Sequence, residues 1–366
     1  MIGYMITQNV LHRPVRTLIT VIGVAVEVTL VILVVGLTTG LLTESAKRTE
    51  GVGADLMVQP PNASIFAAFS GAPMPISIAG KLRNLDYVQA VAPVLYQFNS
   101  VNGLDVVYGI EPESFRAVSG GFVFHSGRDL QGPDDILVDD VYARSKKIKT
   151  GQALHILGHD YKVVGVVEHG KGARLFVLMS GLQEMSGAID KVSIFYVKCD
   201  RSDHTPAVTD EIRGLLPGYE IRPLKDFISL MTSSNLPGLS AFINVMISIA
   251  VAIGFLVIFL SMYTTIIERT REIGVLKSLG ASKGYIVEIV LSETTLLCLC
   301  GTVFGIGLSF LMRWLFTSIF PSMTILILPK WIVISGLIAI GGGLIGAAYP
   351  AWVASRKDPV EALAYE

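Results

Sequence analysis

Four long apolar runs and one long stretch of ordinary polarity make up the chain. The runs are Thr17 to Leu42, Ile243 to Ile267, Ile286 to Leu311 and Trp331 to Trp352, and the polar stretch lies between the first two. About 20 apolar residues suffice for a helix to cross the hydrocarbon layer, so each run predicts a membrane span. A cleaved leader would have an apolar core of about 7–15 residues and a small-residue cleavage site. The first run is longer and is followed by TESAKRTEG, which predicts a retained anchor. The pattern predicts four transmembrane α-helices, arranged one plus three, with a large mixed α/β domain between the first and second spans. The expected boundaries are an N-terminal segment at 1–16, the first span at 17–43, the domain at 44–237 and the second span at 238–267. A charged segment at 268–284, the third span at 285–312, an outer loop at 313–330, the fourth span at 331–355 and a tail at 356–366 follow.

Within the domain the period changes repeatedly. Gln59 to Pro75 is rich in Pro, Ala, Ser and Phe and shows no clear period. Ile78 to Leu85 reads as a short helix, and Tyr87 to Phe98 and Leu104 to Ile110 read as strands. Ile136 to Val138 reads as a strand leading into a helix through Tyr142 and Ala143. Ala153 to Leu157 and Lys162 to Val167 predict a hairpin around Gly158-His159-Asp160. Leu175 to Met179, Val192 to Lys198 and Tyr219 to Arg222 read as strands, with helices near Leu182 to Met185 and His204 to Leu215. The expected domain has two lobes, with Gly103 to Ile189 inserted between the parts of the first.

Charge gives the direction. Basic residues gather before the first span (Arg13, Arg16), between the second and third, and after the fourth (Arg356, Lys357). The positive-inside bias places these segments and both termini in the cytosol and the domain outside, since large domains translocate largely regardless of their own charge. Trp314, Trp331 and Trp352 stand at span ends, as interfacial aromatics do. With 16% charged residues and a net charge of −1, the composition carries no signal for nucleic acid. Cys298 and Cys300 lie in an apolar run and Cys199 stands apart, so no disulfide framework is expected.

The densest charge beside any apolar run is TTIIERTREIGVLKSLGASKGY, Thr264 to Tyr285. It holds Glu268, Arg269, Arg271, Glu272, Lys277 and Lys283. It predicts a short helix of modest amphipathicity. Ile273, Leu276 and Gly280, at i, i+3 and i+7, with Leu279 beside Leu276, form an apolar or small side, over which Glu268 and Glu272 lie in the first turns; Thr270, Gly274, Lys277 and Ser278 form the opposite one, with Arg271 at its edge. Gly280 suits the stop, and Ser282 can cap the next helix. Such a helix is expected to lie at the membrane surface and offer its polar groups to a cytosolic partner.

Candidate chemistry is sparse. Glu27 sits near the middle of the first span, where a carboxylate costs roughly 2.5–3.5 kcal/mol on insertion scales unless it is paired or hydrated. Two readings stand: it lines the path of a transported molecule, or it is a paired or protonated group inside a helix interface. Glu288 and Glu293, in the expected first turns of the third span, read as structural, because a helix N-terminus favours acids. Gly301, Gly305 and Gly307, and Gly341, Gly342, Gly343 and Gly346, are read as allowing close helix approach, Gly301 and Gly305 at small-xxx-small spacing, with Gly301, Gly305, Gly342 and Gly346 taken as the packing positions. His155 and His159 fall across the predicted hairpin, and no metal site is expected. No G-x-x-x-x-G-K-[ST] occurs, nor any catalytic constellation, so the chain is expected to be no enzyme and not to hydrolyse ATP.

Two stretches carry a resemblance. ERTREIGVLKSLGAS, Glu268 to Ser282, closely resembles the segment after the second span in MacB/FtsX-type ABC transporter permeases. YPAWVASRKDPVEALAYE, Tyr349 to Glu366, is similar to the C-terminal end of MacB-like members. Asp134 to Val167 resembles the periplasmic core domain more weakly. The resemblance implies a stand-alone permease of the bacterial inner membrane, working with two copies of a separate ATPase that binds ATP and Mg²⁺. It implies a second permease copy in a homodimer, with a periplasmic adaptor and an outer-membrane channel as further candidates. It also implies that 268–284 is the coupling helix, with Glu268, Arg269, Arg271, Glu272, Leu276, Lys277 and Gly280 facing the ATPase. The implied function is mechanotransmission: ATP-driven movement of the exported domain that exports or extracts a hydrophobic or amphipathic molecule. The alternative is FtsX-like signalling to a cell-envelope hydrolase without transport.

Overall fold

The computed structural model describes residues 14–61, 74–99, 105–230, 237–321 and 323–357. The described residues within Met1–Gly40, Leu236–Ile319 and Met323–Glu366 form one compact unit, and those within Leu41–Asn235 and Phe320–Ser322 form another. Helix α1 (Pro14–Glu50) runs unbroken through 37 residues. At 1.5 Å per residue that is about 55 Å, well over the ~30 Å of a hydrocarbon core.

The polar unit is built in chain order from β1 (Leu56–Gln59), β2 (Met74–Pro75), α2 (Ile78–Arg83), β3 (Val88–Asn99), β4 (Asp105–Ile110), α3 (Pro112–Ser119), β5 (Phe124–Gly127), β6 (Asp135–Asp139) and α4 (Asp140–Lys146). It continues with β7 (Ala153–Ile156), β8 (His159–Val167), β9 (Leu175–Leu178), α5 (Met179–Ser186), β10 (Lys191–Val192), β11 (Ile194–Cys199), α6 (Thr205–Leu215), β12 (Glu220–Pro223) and α7 (Leu224–Leu230). Among the described residues, ten strands form one sheet in the order β12-β1-β11-β3-β4-β9-β6-β8-β5, with β7 on β8. β3 of the first part pairs antiparallel with β4 of the inserted part, from Val94↔Ile110 to Asn99↔Asp105, so the inserted part continues the first part's sheet.

Both faces of the sheet are covered. Side chains alternate across a strand, and here Leu56, Val58, Val91, Leu95, Phe195 and Val197 enter one core while Met57, Ala92, Val94, Ile194 and Tyr196 enter the other. Double burial removes the polar alternation along β1 and β6 alike; the sequence distinguishes β6 and not the four-residue β1. The hairpin is also tighter than expected. Ile156 faces His159, leaving a two-residue turn of Leu157 (φ +54°) and Gly158 (φ +76°), so His159 and Asp160 belong to the strand. Positive φ at both positions matches the twist of the flanking strands.

Asp135, at the start of β6, holds the preceding loop. Its carboxylate accepts hydrogen bonds from Arg128 at 2.7 and 3.2 Å and from the backbone N–H of Gln131 and Gly132 at 2.9 and 3.0 Å. Burial pushes this carboxyl up, but those hydrogen bonds outweigh it and hold it below the usual carboxylate range. Hydrogen bonds to a charged group contribute about 1.5–3 kcal/mol, so Asp135→Ala should destabilise the domain by about 2–3 kcal/mol. A depressed acid stabilises the fold above its unfolded pKa of about 3.9 and loses that contribution as pH falls through the folded value. The wild-type minus variant difference in denaturant unfolding should therefore be full at pH 7 and shrink below about pH 4.

The apolar unit contains α1 up to Gly40, α8 (Pro237–Glu268), α9 (Thr270–Ser278), α10 (Lys283–Ile319) and α11 (Pro329–Arg356). Four of these helices are long and apolar enough to cross a membrane. Their shared core joins Val24, Val28 and Ile32 to Ile258, Met262, Leu297, Ala339, Ala347 and Ala351. Gly301 and Gly305 admit α1: a Cβ at Gly301 would lie 2.5 Å from Val24 Cβ, and one at Gly305 2.8 Å from Val28 Cβ. At Gly346 it would lie 3.0 Å from the Phe255 carbonyl oxygen. Gly342 differs from expectation, since its nearest neighbour is Val251 at an ordinary 3.8 Å. The close position is Gly343, where a Cβ would strike Cys298 Sγ and come within 2.8 Å of Ile258 Cδ1.

Candidate functional site

The charged segment folds as the short helix α9 between the second and third spans. Its ends follow from local chemistry. Gly280 takes φ +94°, the left-handed stop, and Ser282 Oγ accepts a hydrogen bond from the Tyr285 N–H at 3.2 Å, capping α10.

The buried face is not the one the sequence suggests. Thr270, Ile273 and Gly274 are buried and Lys277 is half-buried, while Arg271, Glu272, Val275, Ser278 and Leu279 are exposed. Three of the supposed polar-side residues are thus inward or nearly so, each for a physical reason. Thr270 Oγ1 donates back to the Ile266 or Ile267 carbonyl, each at 2.9 Å, and needs no water. Gly274 adds no side chain. Lys277 Nζ donates to the Ser355 and Lys357 carbonyls, at 3.0 and 2.5 Å, at the C-terminal end of α11, where a helix favours a cation. Of the expected apolar side, Leu276 is half-buried, and Leu279 and Gly280 are exposed.

Arg269 also turns inward, into an ion-pair network centred on Glu293. Its Nε donates to Glu272 at 2.7 Å and its Nη1 to Glu293 Oε2 at 3.1 Å. The other Glu293 oxygen lies 3.5 Å from Arg16 Nη2, and Arg16 Nη1 lies 3.6 Å from Glu268. The Glu293 side chain is 3% exposed, Arg269 14% and Arg16 17%, so these charges are largely withdrawn from water. One carboxylate thus ties α1, the α8–α9 junction and α10 together. The helix-end explanation of Glu293 is replaced by this one. α10 begins at Lys283, so Glu293 lies beyond the first turns, where the dipole effect has faded. The sequence signal was an acid well inside an apolar run, with Arg16 and Arg269 flanking other runs; Arg16 served there only as a marker of orientation.

Glu27 is placed in the interior of the apolar unit, 4% exposed. Its carboxylate lies over Gly254 of α8, where any Cβ would collide with it. Its Oε1 has no hydrogen-bond partner among the described residues. Glu288 is exposed. His155 and His159 turn to different carboxylates, Asp160 at 2.7 Å and Asp134 at 2.8 Å.

Known proteins resemble this chain in sequence. The profile of the MacB-like periplasmic core domain matches residues 17–215, and that of the FtsX-like permease C-terminal region matches 244–359. The macrolide export ATP-binding/permease protein MacB of Sodalis glossinidius is 28% identical over 396 residues, covering 97% of this chain and 59% of that protein. Its namesake in Shewanella sp. strain W3-18-1 is 26% identical over 384 residues, with the same coverage. The chain therefore spans about 59% of the length of these relatives. The crystal structure of the periplasmic region of MacB from Actinobacillus actinomycetemcomitans aligns over 50% of this chain and 94% of its own, at 16% identity and a TM-score of 0.39.

Proposed function

This chain belongs to the MacB/FtsX-type ABC permease family, and we propose that it is the permease of a transporter whose ATP hydrolysis occurs in a separate subunit. It is a multi-pass membrane protein with an extracytoplasmic domain between its first two spans. The observation that carries the proposal is the exposed side of α9. Arg271, Val275 and Leu279 follow at i, i+4 and i+8, and Leu279 is 80% exposed beside an otherwise inward-held helix. An apolar stripe with one cation and Glu272 alongside suits a protein groove better than water.

In this reading, the chain lies in a bacterial inner membrane and two ATPase copies dock on two permeases. ATP and Mg²⁺ are bound by the ATPase, and the permease itself is no enzyme. Closure of the ATPase pair pulls on α9, and the Glu293 network passes the pull to α1 and α10. The extracytoplasmic domains then move and drive a hydrophobic or amphipathic molecule outward or out of the outer leaflet. The export named for the MacB relatives favours transport over signalling. A periplasmic adaptor and an outer-membrane channel would complete such a path, and Glu27 remains a candidate contact for cargo within the spans.

Affinity purification of the full chain in mild detergent tests this. A nucleotide-binding ATPase should co-purify at one copy per permease. Recovery of the permease without any such subunit, under conditions that retain its fold, would sink the proposal.

A further inference from the structure

The second core of the extracytoplasmic unit is incomplete beside β3 and β4. Tyr96 and Phe98 are two residues apart on β3 and share a face, and Tyr108 of β4 stands opposite Tyr96. The Tyr96 ring lies 6.2 Å from Phe98 and 6.3 Å from Tyr108, and the Tyr108 and Tyr196 hydroxyls are 3.2 Å apart. These rings wall a cleft of about 160 Å³, closed on other sides by Gln59 of β1 and Arg48 near the end of α1.

Polar groups in this cleft lack partners. Gln59 is 4% exposed, and its amide makes no hydrogen bond among the described residues. Arg48 Nε is buried and equally unpartnered, although Nη2 reaches Ser45 Oγ at 3.3 Å. A buried donor such as the Arg48 Nε–H is costly when left unmade. Among the described residues of the lining, Arg48 is the one that is charged and none is an acid. Behind it, Arg174 opposes its charge while Glu44 and Asp139 favour it. Arg174 itself lies 3.9 Å from Glu44 and 3.7 Å from Asp139, so the two acids are shared and Arg48 is not fully neutralised.

We propose that this cleft binds an acidic amphiphile, with its oxyanion head on Arg48 and Gln59 and its apolar body against Tyr96, Phe98 and Tyr108. A concave aromatic wall with a few convergent donors is the usual make-up of a small-molecule site. A bare anion would leave the aromatic wall unused, and an uncharged body would leave Arg48 and Gln59 unpaired. The inference rests on the export reading only in taking this ligand as cargo.

Octanoate is a suitable probe, titrated into the full chain in nanodiscs of phosphatidylcholine and followed by saturation-transfer NMR. Octanol and inorganic phosphate serve as the two half-ligands. Octanoate should bind saturably, at least tenfold more tightly than either half-ligand. Gln59→Leu and Arg48→Gln should each weaken it tenfold or more. Gln59→Leu keeps the volume and removes an unpaired amide, so it should retain wild-type thermal stability and remains decisive if Arg48→Gln fails to fold. Absence of saturable octanoate binding, equal binding to wild type and Gln59→Leu, or octanol or phosphate matching octanoate would overturn the proposal. No ATPase enters the measurement, so failure here leaves the coupling reading standing, and failure of ATPase capture leaves this site standing.

Discussion

Glu293→Ala should lower the unfolding free energy of the detergent-solubilised protein by about 3–5 kcal/mol, the usual cost of removing one partner from a buried ion pair. The size follows from geometry. Each Glu293 oxygen faces a different arginine, and both arginines are mostly buried. Removing the carboxylate takes the buried acid from between Arg16 and Arg269 and leaves them the more exposed Glu268 and Glu272. Glu293→Gln keeps hydrogen-bonding atoms but not the charge, and should fall between wild type and Ala. Arg269→Ala alone should also destabilise. Combined with Glu293→Ala it should cost less than the two separately, because the pair no longer holds an unmatched charge. Unfolding in graded denaturant measures all four proteins. A Glu293→Ala change within about 0.5 kcal/mol of wild type, the range of ordinary surface substitutions, would mean that the network does not hold these helices.

Leu279→Asp should do the opposite: leave stability unchanged and abolish coupling. Leu279 is 80% exposed, so an acid there disturbs no internal packing. In a complex it would meet the partner's apolar groove as an unpaired charge. Loss of a central interface anchor costs about 2 kcal/mol or more, which corresponds to roughly a thirtyfold weaker complex. The measurement is the amount of ATPase subunit retained by the purified permease, read against the thermal unfolding midpoint of the permease alone. Leu279→Ala should give a partial loss, and Arg271→Ala should weaken retention in a salt-dependent way. Full retention by Leu279→Asp would remove this face of α9 from the docking surface. The two experiments separate the parts of the lever: Glu293 acts on how the helices are held, Leu279 on what they are held against.

Several features follow from local sequence alone. The four spans are legible because a helix in lipid must satisfy its own backbone and present apolar side chains over a fixed thickness. The stop at Gly280 and the cap at Ser282 are legible because both act within one turn. Most strands of the domain are legible, including β6, β9 and β11, which are buried nearly throughout; β1, four residues long and equally buried, is not.

The remainder depended on partners distant in the chain. Thr270, Gly274 and Lys277 look like a solvated face until the α11 carbonyls, about 80 positions away, are brought to Lys277. Glu293 looks like an acid near a helix start until Arg16 and Arg269 arrive from two other elements. Gly342 and Gly343 differ by one position in sequence but by about 100° around a helix, and only the neighbouring spans decide which is pressed against Cys298. The sequence by itself determined which segments are helices in a membrane and where the charged turn lies between them. The tertiary structure alone decided which side of that turn is tied down and which is left for a partner. Periodicity records that a helix has two sides, whereas burial depends on what other parts of the chain place against them.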